Sequence, residues 1–200
     1  MIRKLALVPA VVVIVFAGAC TTRTDDTTSS APSRITTGPS IAANVPPTSS
    51  QVNKGRARVE RDPCTDLSDE AVEAVGFDHL TRQRIDRIFD SYSFVGCQFD
   101  HEERDQFEMM TTTRTLQVYA TNLTLDEFRG REGAAATPAQ VNGRAAITYT
   151  DPSAEACYTV IETSYGTLDI SKSVASVFTQ EKPCDNMQEI ASAIDTSMPD

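Results

Sequence analysis

Tryptophan is missing from the 200-residue sequence, and histidine occurs only twice, at His79 and His101. The first absence removes the commonest platform for stacking a sugar ring. The second leaves few nitrogen ligands for zinc, and none of the five cysteines sits in a C-x-x-C pair, so a zinc site has little to build on. No G-x-S-x-G elbow, P-loop or H-E-x-x-H pair is present, which excludes the motifs that would announce a serine hydrolase, a P-loop nucleotidase or a zinc peptidase. Positive charge is also scarce. Eighteen Lys and Arg stand against 28 Asp and Glu, for a formal charge of −10. Such acidity argues against a nucleic-acid partner and against a polybasic membrane patch, and fits a solvated acidic surface. A long apolar run is lacking too: Leu5 to Ala19 falls short of the about 20 residues that a spanning helix needs.

What that run does have is the layout of a secretory signal over residues 1–19. Arg3 and Lys4 precede it, Val11 to Phe16 form its apolar centre, Pro9 weakens a permanent helix, and Thr21, Thr22 and Arg23 end it. Its last residues, Ala17-Gly18-Ala19-Cys20, resemble a bacterial lipobox. On that reading the Cys20 thiol takes a diacylglyceryl group, and the rest of the chain is held outside the cytoplasmic membrane by its lipid. The other reading makes Ala17-x-Ala19 an ordinary signal-peptidase site and Cys20 merely the first free residue. Cysteine arithmetic favours lipidation. An odd cysteine in an exported chain needs a fate, and acylating Cys20 leaves an even set, Cys64, Cys97, Cys157 and Cys184, in an oxidising compartment. Loss of Arg3 and Lys4 with the leader takes the charge from −10 to −12.

Residues 20–61 are rich in Thr, Ser and Pro and poor in large apolar side chains. Such a segment cannot bury enough surface to offset its ordering entropy and reads as a disordered tether. Lys54, Arg56, Arg58 and Arg61, interrupted by Glu60, read as its solvated end. The folded part is expected over residues 62–200 as a single domain.

Within it, Ser68 is placed to cap a helix, with Asp69 and Glu70 in the first turn, Leu67, Ala71, Ala74 and Val75 on one face, and Gly76 at the stop. A second helix is expected over Thr81 to Phe89. Strands follow at Ser93 to Phe99 and along a return segment that alternates Phe107, Met109, Leu116, Val118 and Ala120, with residues 101–105 as the hairpin loop between them. Thr124 and Glu127 form a capping box for a short helix, Gly133 to Pro138 a surface loop, and Asn142-Gly143 a tight turn. Ala145 to Thr150, Cys157 to Thr163 and Thr167 to Ser173 read as an antiparallel meander. A final helix carries Met187, Ile190, Ala191 and Ile194 on one face, with Asp185 as its expected cap. The expected class is α+β: an antiparallel β-sheet with N-terminal and C-terminal helices packed on it, stapled by two disulfides.

Four cysteines allow three pairings. Cys64 and Cys184 each follow a proline and precede a helix, whereas Cys97 and Cys157 fall on strands. Pairing neighbours, Cys64 with Cys97 and Cys157 with Cys184, bolts a helix entrance to a strand twice. The stretch Asp62-Pro63-Cys64, Leu67-Ser68, Gly76 and Cys97-Gln98-Phe99 resembles the start of the actinobacterial lipoproteins grouped as domain-of-unknown-function family 3558. Gly143 to Ala146 with Cys157 to Val160 is similar to that family's middle, and Pro183-Cys184 with Met198-Pro199 to its end. Phe99 stands where the family often has tryptophan, and Met198 where it often has leucine. The resemblance implies an exported, disulfide-bonded lipoprotein and brings no activity and no catalytic residues.

No catalytic constellation emerges. His101 with Glu102, Glu103 and Asp105 reads as a charged hairpin tip, His79 beside Asp78 as a surface pair, and Asp66, Asp69 and Glu70 as helix-start acids without the glycine and spacing of a calcium loop. Asn122-Leu123-Thr124 matches a glycosylation sequon. Phe94, Phe99, Phe107, Tyr119, Tyr149 and Tyr158 all sit on expected strands, as core or as the lining of a ligand groove. No cofactor or metal is expected. The reading favoured is a non-catalytic cell-envelope module that binds an envelope protein or an amphiphilic ligand. An envelope enzyme using a carboxylate pair, or an accessory regulator of a membrane sensor, stands as the alternative.

Overall fold

The computed structural model describes residues 45–105 and 107–198. The signal segment, Cys20, the tether up to residue 44 and Pro199 lie outside the described residues. Two short helices, α1 (Pro63–Asp66) and α2 (Asp69–Ala74), precede the strands β1 (Asp78–Arg84), β2 (Arg87–Ile88), β3 (Ser93–Arg104) and β4 (Met110–Thr121). Helix α3 (Leu125–Glu132) and a 3-10 turn lead to β5 (Thr137–Val141), β6 (Arg144–Asp151), β7 (Ala156–Thr163) and β8 (Gly166–Val174), and α4 (Met187–Ser197) closes the chain. All strands join one antiparallel sheet in the order β1-β3-β4-β8-β7-β6-β5, with β2 also paired to β3. Asn142 and Gly143, both at positive φ, make the tight β5–β6 turn, the geometry that matches strand twist. Pro138 lies on the edge strand β5, where its missing N–H breaks no central ladder.

Alternation along the strands builds two separate cores. Cys97, Phe99, Leu116, Val118, Cys157, Ile161, Leu168 and Ile170 turn to one face, where they form one cluster with Leu67, Val72 and Phe77 and with Met187, Ile190, Ala191 and Ile194 of α4. Disulfides Cys64–Cys97 and Cys157–Cys184 tie the start of α1 to β3 and the approach to α4 to β7. Lys172 is 1 % exposed on this side, and its ammonium reaches Glu181 and the Asp185 carbonyl, pinning the β8–α4 connection. The opposite face carries Phe94, Tyr119, Ile147, Tyr149 and Val160, packed with Leu123, Leu125 and Phe128 from α3 and its approach.

Several local expectations are corrected. Residues 81–89 are not a helix but strand: Gln83 and Arg84 pair with Gln98 and Cys97, and β2 pairs with Phe94 and Ser93. Two of the segment's three arginines find acids. Arg82 bonds Asp69 at 2.7 Å and lies over Phe99, and Arg84 bonds Asp62 at 2.7 Å. The hairpin loop sits later than expected, because β3 runs on to Arg104 and the Asp105 carboxylate accepts from the Phe107 and Met109 amides. Phe107 and Met109 are therefore exposed rather than strand core. The region after α3 is a loop only to Ala136, since Thr137 and Pro138 already pair with β6. Asp185 does not cap α4. It accepts from the Lys182 amide, and Asn186, in the left-handed region, takes the cap position without a side-chain bond.

Residues 45–61, assigned by composition to the tether, run along the domain. Val59 is buried with Val95 and Ala120, the Gln51 amide brackets both backbone groups of Val59, and Asn53 accepts from the buried Ser93 hydroxyl at 2.6 Å. Arg56 reaches Glu127 and the Asn122 carbonyl. Composition hides this docking, because two valines, Val45 and Val59, and a set of hydrogen bonds anchor the segment.

Candidate binding pocket

On the α3 side of the sheet the described residues leave a cavity of about 410 Å³. Its floor is set by cross-strand register. Tyr119 on β4 pairs with Asp169 on β8, and Gln117 with Ser171, which in turn faces Tyr158 on β7; Tyr158 faces Tyr149 on β6. On β4, β7 and β8 these residues alternate with residues of the first core, so the strands that close one face line the pocket on the other. Arg87 and Tyr92 flank one side, and Arg131 and Glu132 from the end of α3 the other.

The aromatic rings brace one another. Tyr149 and Tyr158 stack with centroids 4.6 Å apart and planes within 1°. Phe94 meets Tyr119 edge-on at 5.7 Å, and Tyr92 meets Phe94 at 6.0 Å. Gly96 pairs with Tyr119, and its missing side chain is where that ring rests: a Cβ there would lie 2.1 Å from the ring's Cδ1. The Arg87 guanidinium stands over the Tyr119 ring, 5.3 Å from its centroid. Arg131 bonds Glu132 at 2.7 Å and lies 4.4 Å from the Phe128 ring.

Two buried polar atoms here have no hydrogen-bond partner among the described residues, Asp169 Oδ1 and the Tyr119 hydroxyl. Asp169 is 7 % exposed. Burial pushes its carboxyl up to about 7, against the pull of Arg131 and Arg87. Burial likewise raises the Tyr119 hydroxyl to about 12 and drives those of Tyr149 and Tyr158 upward. Of the other carboxylates on the lining, Asp151 is held below its usual range by hydrogen bonds from Ser153, and Glu132 is paired with Arg131. The pocket therefore joins one buried carboxyl of raised affinity to aromatic faces, with a second carboxylate, Asp151, held low by Ser153 where the lining is partly exposed.

Of the six aromatics singled out in the sequence, Phe94, Tyr119, Tyr149 and Tyr158 meet here, Phe99 is in the other core and Phe107 is on the surface. Asp169, Arg87 and Arg131 were not singled out. Elsewhere the candidate clusters disperse. His79 Nδ1 lies 2.7 Å from Glu73, not against Asp78, and His101 faces Glu103 on the hairpin. Asp69 is taken by Arg82. Asn122 of the sequon is buried, donating to the Ala57 carbonyl and accepting from the Ser93 amide, while Thr124 serves the capping box of α3. No group of three or more metal-ligating side chains, and no helix long and apolar enough to cross a membrane, occurs among the described residues.

The family model for a protein of unknown function (DUF3558) matches residues 15–197. The chain belongs to this family. The match takes in all the strands, both disulfides and every residue of the pocket. No curated protein matches, and no solved structure matches. Membership of DUF3558 thus leaves the role to be argued from the pocket itself.

Proposed function

We propose that this DUF3558 chain is an exported, lipid-anchored module that acts by binding, with the pocket beside α3 as its binding surface. One observation carries the reading: one oxygen of a buried carboxyl, Asp169 Oδ1, and the Tyr119 hydroxyl lack hydrogen-bond partners among the described residues and are set among braced aromatic rings. Leaving such atoms unmet costs about 1–3 kcal/mol each, and a ligand that meets them recovers it. A hydrolytic or proton-transfer role would call for a second buried group of complementary proton affinity beside Asp169. Asp151, the lining carboxylate of lowered affinity, is partly exposed and engaged by Ser153, and Glu132 is ion-paired with Arg131. The two disulfides and the Ala17-to-Cys20 sequence support a place outside the cytoplasm.

Two experiments test the parts separately. Cys20→Ala is expected to move the protein from the membrane fraction to the medium with its fold intact; a variant that stays membrane-bound after export refutes the anchor. A photo-reactive residue placed at Tyr92, on the pocket rim, is expected to capture an envelope component in intact cells, and the adduct should weaken in Tyr149→Ala. An adduct indifferent to that change, or no adduct from the rim, refutes the pocket as the binding surface.

A further inference from the structure

We infer that the occupant of this pocket is a neutral saccharide, with ring C–H faces against the tyrosines and hydroxyls on Asp169 and Tyr119; this rests on the binding reading above.

Three features of the lining select that chemistry. The first is the pair of orphaned atoms. A sugar hydroxyl donates and accepts at once, so it serves Asp169 Oδ1 whether or not that carboxyl holds its proton, and it serves the Tyr119 hydroxyl in either direction. The second is charge. Arg87 and Arg131 are offset on the same lining by Asp151 and Glu132, so the cavity has no strong net sign to offer an ion. A cation entering it meets two guanidinium groups, and an anion meets the carboxylates of Asp151 and Glu132. A hydroxylated ring meets neither penalty, and planar guanidinium and carboxyl groups present paired sites that suit adjacent hydroxyls. The third is the distribution of apolar surface. An acyl chain laid along the sheet would cover Gln117 and Ser171 and strip them of water, whereas a ring needs apolar faces only where the tyrosines stand. The volume of about 410 Å³ lies within the range of small-ligand sites. With tryptophan absent, the stacking platform falls to tyrosine, and four of the five tyrosines line this one cavity.

The same composition supplies the assay. With no tryptophan, intrinsic fluorescence is tyrosine fluorescence and reports mainly on the pocket. The intact purified protein is titrated with chitobiose and maltotriose as neutral probes, hexyl sulfate as an anionic amphiphile and choline as a cation. The expected result is a saturable change with a neutral probe alone, about tenfold weaker in Tyr149→Ala, which loses a stacking face, and about fivefold weaker in Tyr119→Phe, which loses only a hydroxyl. If Tyr149→Ala fails to fold, Tyr119→Phe decides. Saturation by hexyl sulfate or choline and not by the saccharides overturns the saccharide and leaves the binding reading standing. Saccharide binding indifferent to Tyr119→Phe overturns the assigned location. Silence from every probe, together with no rim adduct in cells, removes both readings.

Discussion

On β8, Leu168, Ile170 and Lys172 turn towards α4 and the disulfides, while Asp169 and Ser171 turn towards α3 and the cavity. On β4, Leu116 and Val118 take the first side and Gln117 and Tyr119 the second. One sheet thus has a closed, cross-linked face and a face that carries a cavity. The closed face is covered by helices from both ends of the folded chain, carries both cross-links, and gives its buried ammonium, Lys172, two partners. The other face is covered only in part, by the eight residues of α3. Unpartnered buried atoms occur on both faces, Thr159 Oγ1 on the closed one, but Asp169 Oδ1 and the Tyr119 hydroxyl are the ones on residues that line the cavity. Native interiors rarely leave such atoms unmet. The difference teaches how one sheet divides its faces: the cross-linked face holds the register that positions the cavity-lining residues of the other, where the proposed binding is set.

The largest expected effect tests that division. Phe99 is fully buried on the closed face, under the Arg82 guanidinium. Phe99→Ala should cost about 3–5 kcal/mol in urea unfolding. Tyr149→Ala on the open face, where the ring borders an existing cavity, should cost about 1–2 kcal/mol. Equal losses would break the comparison, since they would make the pocket face as much a core as the other.

Next comes the pH dependence carried by Asp169. Its carboxyl holds a proton to about pH 7 when folded, whereas an unfolded aspartic acid releases it from the ordinary value of 3.8. Between those values the folded state binds more protons than the unfolded, so stability falls as pH rises from about 4 to about 7 and levels off above. At about 1.4 kcal/mol per pKa unit the span is on the order of 4 kcal/mol. Glu127 works in a different window. Arg56 and the Thr124 cap hold its carboxyl down to about 2, so its contribution is present above its ordinary value and disappears as pH falls below that value towards 2. Asp169→Asn is therefore expected to melt higher than the parent at pH 8 and to lose the decline between pH 4 and 7, leaving the acid limb unchanged. Parallel melting profiles would show that Asp169 is solvated and that the pocket has no buried acid.

The closed face was the legible one. Spacing marked Met187, Ile190, Ala191 and Ile194 as a single stripe, and position brought Cys64 to Cys97 and Cys157 to Cys184, because helical period and chain position are local properties. The open face depends on non-local pairing. Its key juxtaposition, Tyr119 opposite Asp169, joins β4 to β8 across three intervening strands of sequence. Alternation within Leu168-Asp169-Ile170 does flag an acid on the back of a buried strand, but not what faces it. Arg87 was hidden by a different error. Ile85, Ile88 and Phe89 have helical spacing, and only pairing with β3 makes the segment strand. The docked residues 45–61 were missed because side chains distant in sequence, such as Asn122 and Ser93, hold their backbone and Asn53.

The smallest effect is also the sharpest probe of how the two faces share a backbone. Gly96 sits between Val95 and Cys97, both fully or nearly fully buried on the closed side, and its own open side is occupied by the Tyr119 ring. A methyl group at that position cannot coexist with the ring, and Tyr119 must swing into the cavity or β3 must separate from β4. The first outcome is cheaper, because Tyr119 lines a cavity into which its ring can turn, while the β3 backbone is fixed by Cys64–Cys97 and by the bond from the Gly96 amide to Asp86. Gly96→Ala should then cost only about 1–3 kcal/mol, keep the amide spectrum of the closed face, and shift the ring signals of Tyr119 and Phe94. It should also abolish occupancy of the pocket while the protein remains folded. A variant that loses β3–β4 protection to hydrogen exchange instead would show that the cross-linked face does not hold the register, and that the two faces stand or fall together.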